Sequence, residues 1–254
     1  MELHEEKLSD DFDYIDIKPI SDVHIGDPQL DDKLIQADVN WVTEKDNRFI
    51  LLNGDIMNTA TTHSVSNTYE NTMTPHQELK YSRKLFEPAK GKILGMTAGN
   101  HENRIMRNDG LDVCEELALS LDCYYNNEGM VLKVKFGKRK TNQKNQVYTI
   151  YMTHGSSGAM LPGGKLNKLY KLRNIVTTDC YIVSHTHEII TLKKNIFIPD
   201  LRNNKVTKKE QTFINTGSYI DYSGYAERKN YHPGNLGTVT LRMYAGEKNI
   251  EVIL

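Results

Sequence analysis

Arg48-Phe49-Ile50-Leu51-Leu52-Asn53-Gly54-Asp55 is a β-rich apolar run that stops at a glycine followed by an acid. Residues 48–52 read as a strand. Gly54 then permits a tight turn, which delivers the Asp55 side chain to the strand's carboxyl end. The same grammar recurs on either side. Tyr14–Ile20 reads as a strand ending in Asp22-Val-His24, and 92–97 as one ending in Gly99-Asn100-His101-Glu102. Gln146–Met152 runs into His154-Gly155, and Cys180–Val183 into Ser184-His185-Thr186-His187. Further strands are expected at Met130–Phe136 (a hairpin with Gln146–Met152), 212–215, 237–243 and 249–254. Helical spacing predicts helices over 32–44, 75–87, 110–121 and 165–175. Strand–helix alternation of this kind argues for an α/β layered sheet. Residues 58–74 read as a long polar loop, a class often tied to function.

Composition bounds the remaining possibilities. With 254 residues, 38% hydrophobic and 26% charged, the chain has the make-up of a folded protein, which excludes disorder and coiled coil. No repeat or Pro/Gly/Ser linker divides it, so residues 1–254 are expected to form one domain. No apolar run exceeds four residues, against the ~20 needed to span a bilayer, so no membrane partner is expected. Three cysteines without a CxxC pair and an acidic amino terminus without a signal-peptide pattern fit a cytoplasmic protein.

The net charge of −1 hides a local asymmetry. Residues 129–178 hold ten Lys and Arg and no acid, whereas the first thirty-two residues hold eleven acids and two lysines. The basic stretch suggests either a polyanionic partner such as nucleic acid or a solvated hairpin tip and helix face.

Ligands in open α/β sheets collect beyond the carboxyl ends of the strands. Five strand ends here deliver Asp22, His24, Asp55, Asn100, His154, His185 and His187 to one edge. This is an oxygen and nitrogen donor set without thiolate, suited to manganese, iron or zinc. On an extended segment, side chains two apart point the same way, so Asp22-x-His24 and His185-x-His187 could each face one centre. Seven donors exceed one tetrahedral ion but suit two ions sharing a carboxylate, and Asp55 is the central acid among them.

The series Asp22-x-His24, Gly54-Asp55, Gly99-Asn100-His101-Glu102, His154 and His185-x-His187, with the later Asn215-Thr-Gly-Ser218, resembles the calcineurin-like metallophosphoesterase family over residues 17 to 219. The resemblance implies an α/β fold, a four-layer α/β/β/α sandwich of two mixed sheets flanked by helices. It implies one divalent ion on Asp22, His24, Asp55 and His187, and a second on Asp55, Asn100, His154 and His185, with manganese expected and iron or zinc as alternatives. A metal-activated hydroxide would then hydrolyse a phosphoester, with His101 as the catalytic acid and Arg104 as a phosphate contact. Glu102 either bonds within its own loop or is a solvated carboxylate, and Arg104 could instead pair with a nearby acid.

Two departures stand out. The usual glycine before His-x-His is Ser184. The Gly-Asp-x-x-Asp-Arg-Gly pattern of the family's Ser/Thr phosphatases is broken by Asn58 and Thr59. A phosphodiester substrate, nucleic acid or nucleotide, is therefore expected, with a phosphomonoesterase on a small metabolite or phosphoprotein, or a non-catalytic scaffold, as alternatives. His63, His76 and the Tyr225–Lys229–Tyr231–His232 segment are candidates to rim the cleft or to lie on the surface.

Overall fold

The computed structural model describes every residue except 1, 63, 65–67, 157–158, 160 and 229–231. Its strands form two six-stranded sheets. The first contains β1 (Leu3–Lys7), β6 (Met130–Phe136), β7 (Gln146–Met152), β8 (Cys180–Val183), β10 (Lys205–Asn215) and β9 (Ile190–Asp200), in that spatial order. The second runs β12 (Ile250–Ile253), β11 (Thr240–Tyr244), β2 (Tyr14–Ile20), β3 (Arg48–Asn53), β4 (Ile93–Thr97) and β5 (Tyr125–Asn126). Both sheets are mixed: β2, β3, β4 and β5 are parallel, as are β7, β8 and β10, whereas β11 and β9 run antiparallel to their neighbours.

Alternation along each strand sorts side chains into layers. Phe49 and Leu51 of β3 face inward with Ile15 and Ile17, and meet Leu132, Tyr148, Ile150 and Ile182 of the other sheet. Ile50 and Leu52 face outward beneath α1 (Asp32–Thr43), α2 (Pro75–Phe86) and α4 (Val113–Leu121). On the opposite outer face, Tyr151, Tyr181 and Phe213 pack under Leu169 of α5 (Pro162–Lys171). The result is the α/β/β/α sandwich. The helix starts follow capping chemistry: Thr74 and Gln77 form a reciprocal capping box ahead of Pro75, and Asp112 accepts the N–H groups of Cys114 and Glu115. The Asp112 cap starts α4 at Val113, three residues later than the spacing alone indicates. Short α3 (Glu102–Asp109) and α6 (Gly224–Arg228) complete the α-helices of the described residues.

The charge asymmetry proves partly internal. Strand β1 lies parallel to β6, and Glu5 bridges Lys133 and Lys135 at 2.5 and 2.9 Å, which holds its carboxyl down to about 2. Asp10 pairs with Lys138. The acidic amino-terminal segment thus neutralises the root of the basic β6–β7 hairpin.

Candidate metal centre

The carboxyl ends of β2, β3, β4, β7 and β8 meet at one edge of the sandwich. Asp22, His24 and His187 bring donor atoms within 4.8 Å of one another; so do Asp55, His154 and His185; and so do His24, Asp55 and His101. His187 Nε2 lies 3.1 Å from Asp22 Oδ1, and His154 Nε2 lies 3.1 Å from Asp55 Oδ2. His24 Nε2 stands 3.9 Å from Asp22 Oδ1. Donors ~2.1 Å from one tetrahedral ion are themselves about 3.4 Å apart, so these spacings suit metal ligation. Asp22 Oδ1, His24 Nε2 and His154 Nε2 are buried and engage no hydrogen bond. Orphaned polar atoms of this kind are costly unless a ligand satisfies them. The residues therefore fit a divalent cation.

The way these side chains converge differs from the expected extended geometry. Asp22, His24, Asp55, His185 and His187 have φ of +53, +52, +49, +72 and +53°. Left-handed backbone at non-glycine residues costs roughly 1–2 kcal/mol each and concentrates at functional sites. Each residue of the two i, i+2 pairs turns inward through its own left-handed kink, not through strand alternation. Gly54 (φ +77°) and Gly99 are required by contact: a Cβ on Gly99 would lie 2.1 Å from Asp55 Oδ1, and one on Gly54 2.5 Å from the Gly99 nitrogen.

A second layer of hydrogen bonds fixes the rings. His154 Nδ1 donates to the Asn53 carbonyl at 2.7 Å, and His101 Nδ1 to the Asn58 carbonyl at 3.0 Å. A carbonyl can only accept, so both rings keep Nε2 for the cluster. His101 Nε2 ends 4.0 Å from Asp55 Oδ2. Backbone N–H groups of His185 and His101 donate to Asp22 Oδ2 and Asp55 Oδ1. Glu102 is buried and accepts N–H bonds from Asp55, Met57 and Gly99 at 2.9–3.0 Å, tying β3's end to β4's. Burial and the nearby Asp55 push its carboxyl up to about 7, against the Met57 N–H bond and His154.

Electrostatics follow from the same packing. Burial opposes ionisation of Asp22, yet the His187 imidazole holds it down to about 2. Asp55 is likewise held well below the usual range, against burial, by His154 and His101. Burial works to lower His154, but the Asp55 carboxylate overrides it and raises the ring to about 10. Burial, aided by His101 and His154 respectively, pushes His24 and His185 down. The site therefore holds two carboxylates, the His24 and His185 imidazoles neutral and ready to ligate, and on His154 a proton that a bound cation would replace.

The remaining expected residues are placed as follows. Asn100 is exposed on the turn between β4 and α3, and its side chain makes no hydrogen bond among the described residues. Arg104 is half-buried; its Nη1 donates to Ser64 Oγ at 2.5 Å and to the Thr59 carbonyl at 3.4 Å, anchoring the 58–74 loop. His76 and His232 are exposed, whereas His63, Lys229 and Tyr231 lie outside the described residues. Lys165, from the basic stretch, does reach this edge, but it pairs with Glu188 at 2.6 Å.

Several contributors carried little sequence signal. Ser21 reaches Asp22 Oδ2 at 2.8 Å. Asn53 receives the Thr97 hydroxyl and donates to Ser184 Oγ at 2.6 Å. Thr216 also donates to Ser184, so the departure at 184 supplies an acceptor shared by both sheets. Asn215 donates to Thr186 Oγ1 within the His-x-His turn. A polar residue closing an apolar strand, as Asn53 does, was the one visible hint.

The calcineurin-like phosphoesterase family pattern matches residues 17–231. The chain belongs to the calcineurin-like phosphoesterase family. Membership makes it a metal-dependent phosphoesterase in kind. No curated protein matches it in sequence. Among solved structures, a single mutant of Vps29 from Entamoeba histolytica aligns with TM-score 0.46 and 12% identity, covering 94% of this chain and 98% of that one. Wild-type Vps29 of the same organism, complexed with zinc, aligns at 0.42 and 12%, with 94% and 98% covered. A metallophosphoesterase from Sphaerobacter thermophilus aligns at 0.39 and 13%, with 92% and 89% covered. In this calcineurin-like phosphoesterase the Asn58 carbonyl orients the His101 ring. No helix among the described residues is long and apolar enough to cross a membrane.

Proposed function

We propose that the chain is a two-metal phosphodiesterase acting on a nucleic acid or nucleotide. The observation carrying this reading is the set of buried, hydrogen-bond-free atoms Asp22 Oδ1, His24 Nε2 and His154 Nε2 gathered around two carboxylates. Asp22, His24, Asp55 and His187 would hold one ion, and Asp55, Asn100, His154 and His185 the other. Such ions, manganese in this proposal, supply positive charge for phosphoryl oxygens and lower the pKa of water.

The protein's own groups do the rest. His101, its ring fixed by the Asn58 carbonyl, delivers a proton from Nε2 to the departing oxygen. Arg104 spends Nη1 on the loop and leaves Nη2 to contact the phosphoryl group. Glu102 keeps Asp55 in register by holding its N–H. A diesterase is favoured over a protein phosphatase because Asn58 meets His101 through its carbonyl in place of an acid, and the arginine of the family's Ser/Thr phosphatase pattern is absent. A non-catalytic scaffold is disfavoured by the convergence of Asp22, His24, Asp55, His154, His185 and His187. A single domain spanning 1–254 and a cytoplasmic setting belong to the same proposal.

The test is hydrolysis of bis-p-nitrophenyl phosphate and p-nitrophenyl phosphate by protein reconstituted with Mn²⁺. A higher kcat/KM on the bis-ester is expected. Preference for the monoester overturns the diesterase assignment, and inertness toward both with metal bound supports the scaffold instead.

A further inference from the structure

We propose that the ribbon formed by β9 and β10, together with helix α5, is a nucleic-acid docking surface that extends from the metal centre. This inference rests on the phosphodiesterase reading and adds the surface that would hold a polymeric substrate.

Strand β8 pairs with β10 only over Thr212–Asn215, whereas β9 and β10 pair with each other along all eleven residues. Residues 194–211 therefore project beyond the sheet as a two-stranded ribbon. A ribbon of that kind is one of the two elements that fit the major groove of a duplex. At ~3.3 Å per residue, the six steps from Gln211 to Lys205 carry the ribbon about 20 Å beyond the sheet.

Its charge is unlike that of the whole chain. Residues 194–211 carry Lys194, Arg202, Lys205, Lys208 and Lys209 against Asp200 and Glu210, five minus two or +3, where the chain totals −1. Lys209 pairs with Asp179 at 3.1 Å. Lys194, Arg202, Lys205 and Lys208 are exposed and make no ion pair among the described residues. Lys133, Lys135 and Lys138 of the β6–β7 hairpin, by contrast, are met by Glu5 and Asp10. On the fully exposed ribbon face, Lys208 lies directly across from Phe197 (72% exposed), and Val206 across from Pro199. Lys208 on the Phe197 face, Lys194 and Lys205 on the opposite face and Arg202 at the turn give the ribbon unpaired cations on both sides, which matches the phosphate backbones flanking a groove better than an apolar protein patch.

Helix α5 joins this ribbon to the metal edge. Its first turn places Lys165 Nζ 3.4 Å from the carbonyl of Thr186, between His185 and His187. Leu169 anchors the helix on the sheet, and Lys168 and Lys171 remain exposed. At the ribbon root, Gln211 donates to the Thr178 carbonyl, in the segment that follows the helix.

Fluorescence anisotropy of the Mn²⁺-loaded protein with a phosphorothioate duplex of about 21 base pairs, two helical turns, tests the proposal across a salt series. Wild type is expected to bind with a steep salt dependence. The variant Lys194→Gln/Arg202→Gln/Lys205→Gln/Lys208→Gln should flatten the log K against log salt slope by about 3–4 and weaken binding about 10³-fold at 0.1 M salt. Lys135→Gln/Lys138→Gln, on the neutralised hairpin, should stay within about twofold of wild type. Bis-ester hydrolysis should be unchanged in both variants. Absence of wild-type binding at low salt, or equal binding by the quadruple variant, overturns the surface. So does a salt-insensitive wild-type dimer that Phe197→Asp dissociates without any duplex binding. Duplex binding with no bis-ester hydrolysis would sink the diesterase reading and leave the docking surface standing.

Discussion

The space between the sheets and the carboxyl edge of the same strands are built on opposite terms. Between the sheets, Ile15, Ile17, Leu51, Leu132 and Ile150 are fully buried and wholly apolar. A few residues further along those strands, Ser21, Asp22, Asn53, Asp55 and Ser184 are just as buried and all polar. Five of the ligand candidates there sit in left-handed backbone. The interior supplies stability that the edge consumes: strain and buried charge persist only where surrounding structure over-determines them.

The contrast can be broken most severely at His101. His101→Ala should lower turnover on the bis-ester by about 10²–10⁴-fold while metal content stays near wild type, since its ring is positioned by a carbonyl and not by a ligand. Inductively coupled plasma mass spectrometry alongside steady-state kinetics checks both, and parallel loss of metal would make His101 a ligand. Next in size is the interior. Leu132→Ala should cost about 2–5 kcal/mol in urea unfolding, yet leave metal content per folded molecule unaltered; a loss of metal would show that the two regions are not separable.

The smallest effect concerns Glu78, buried beneath the 58–74 loop, where it accepts from the Thr59 N–H and the Asn71 side chain. Burial raises its carboxyl from 4.5 to about 7. The folded state therefore binds this proton more tightly than the unfolded chain. Its stabilising contribution is complete below pH ~4.5 and is lost as pH rises through ~7, a difference on the order of 3 kcal/mol. Between pH 5 and 8 wild type should lose stability that Glu78→Gln does not lose. Parallel pH curves for the two proteins would place the acid's titration outside the folding equilibrium.

Much of the sandwich and the edge was legible because each strand pairs an apolar run with a chemically distinct ending. Met130–Phe136, Gln146–Met152 and Cys180–Val183 match their expected bounds. Strand β1 was not legible: Leu-His-Glu-Glu-Lys has no apolar face, and pairing with β6 makes it a strand. Most of β9 and β10 was hidden for a related reason, since their lysine-rich halves are held by each other and not by a core. Helix α3 is short and polar, buries little beyond Glu102 and Ile105, and so lacks periodicity. At the site, the donor residues could be read as a set, but their left-handed backbone could not, because spacing carries no sign of φ. Ser21, Asn53 and Thr216 escaped because a buried hydroxyl or amide looks the same in sequence as a solvated one.

Anomalous diffraction from crystals of the Mn²⁺-reconstituted protein addresses the two-ion site most directly. Two peaks are predicted, each within about 2.3 Å of its ligands: one against Asp22, His24 and His187, the other against His154, His185 and Asn100, with Asp55 touching both. A single peak, or one coordinated by His101 in place of Asn100, would contradict the binuclear arrangement proposed for this edge.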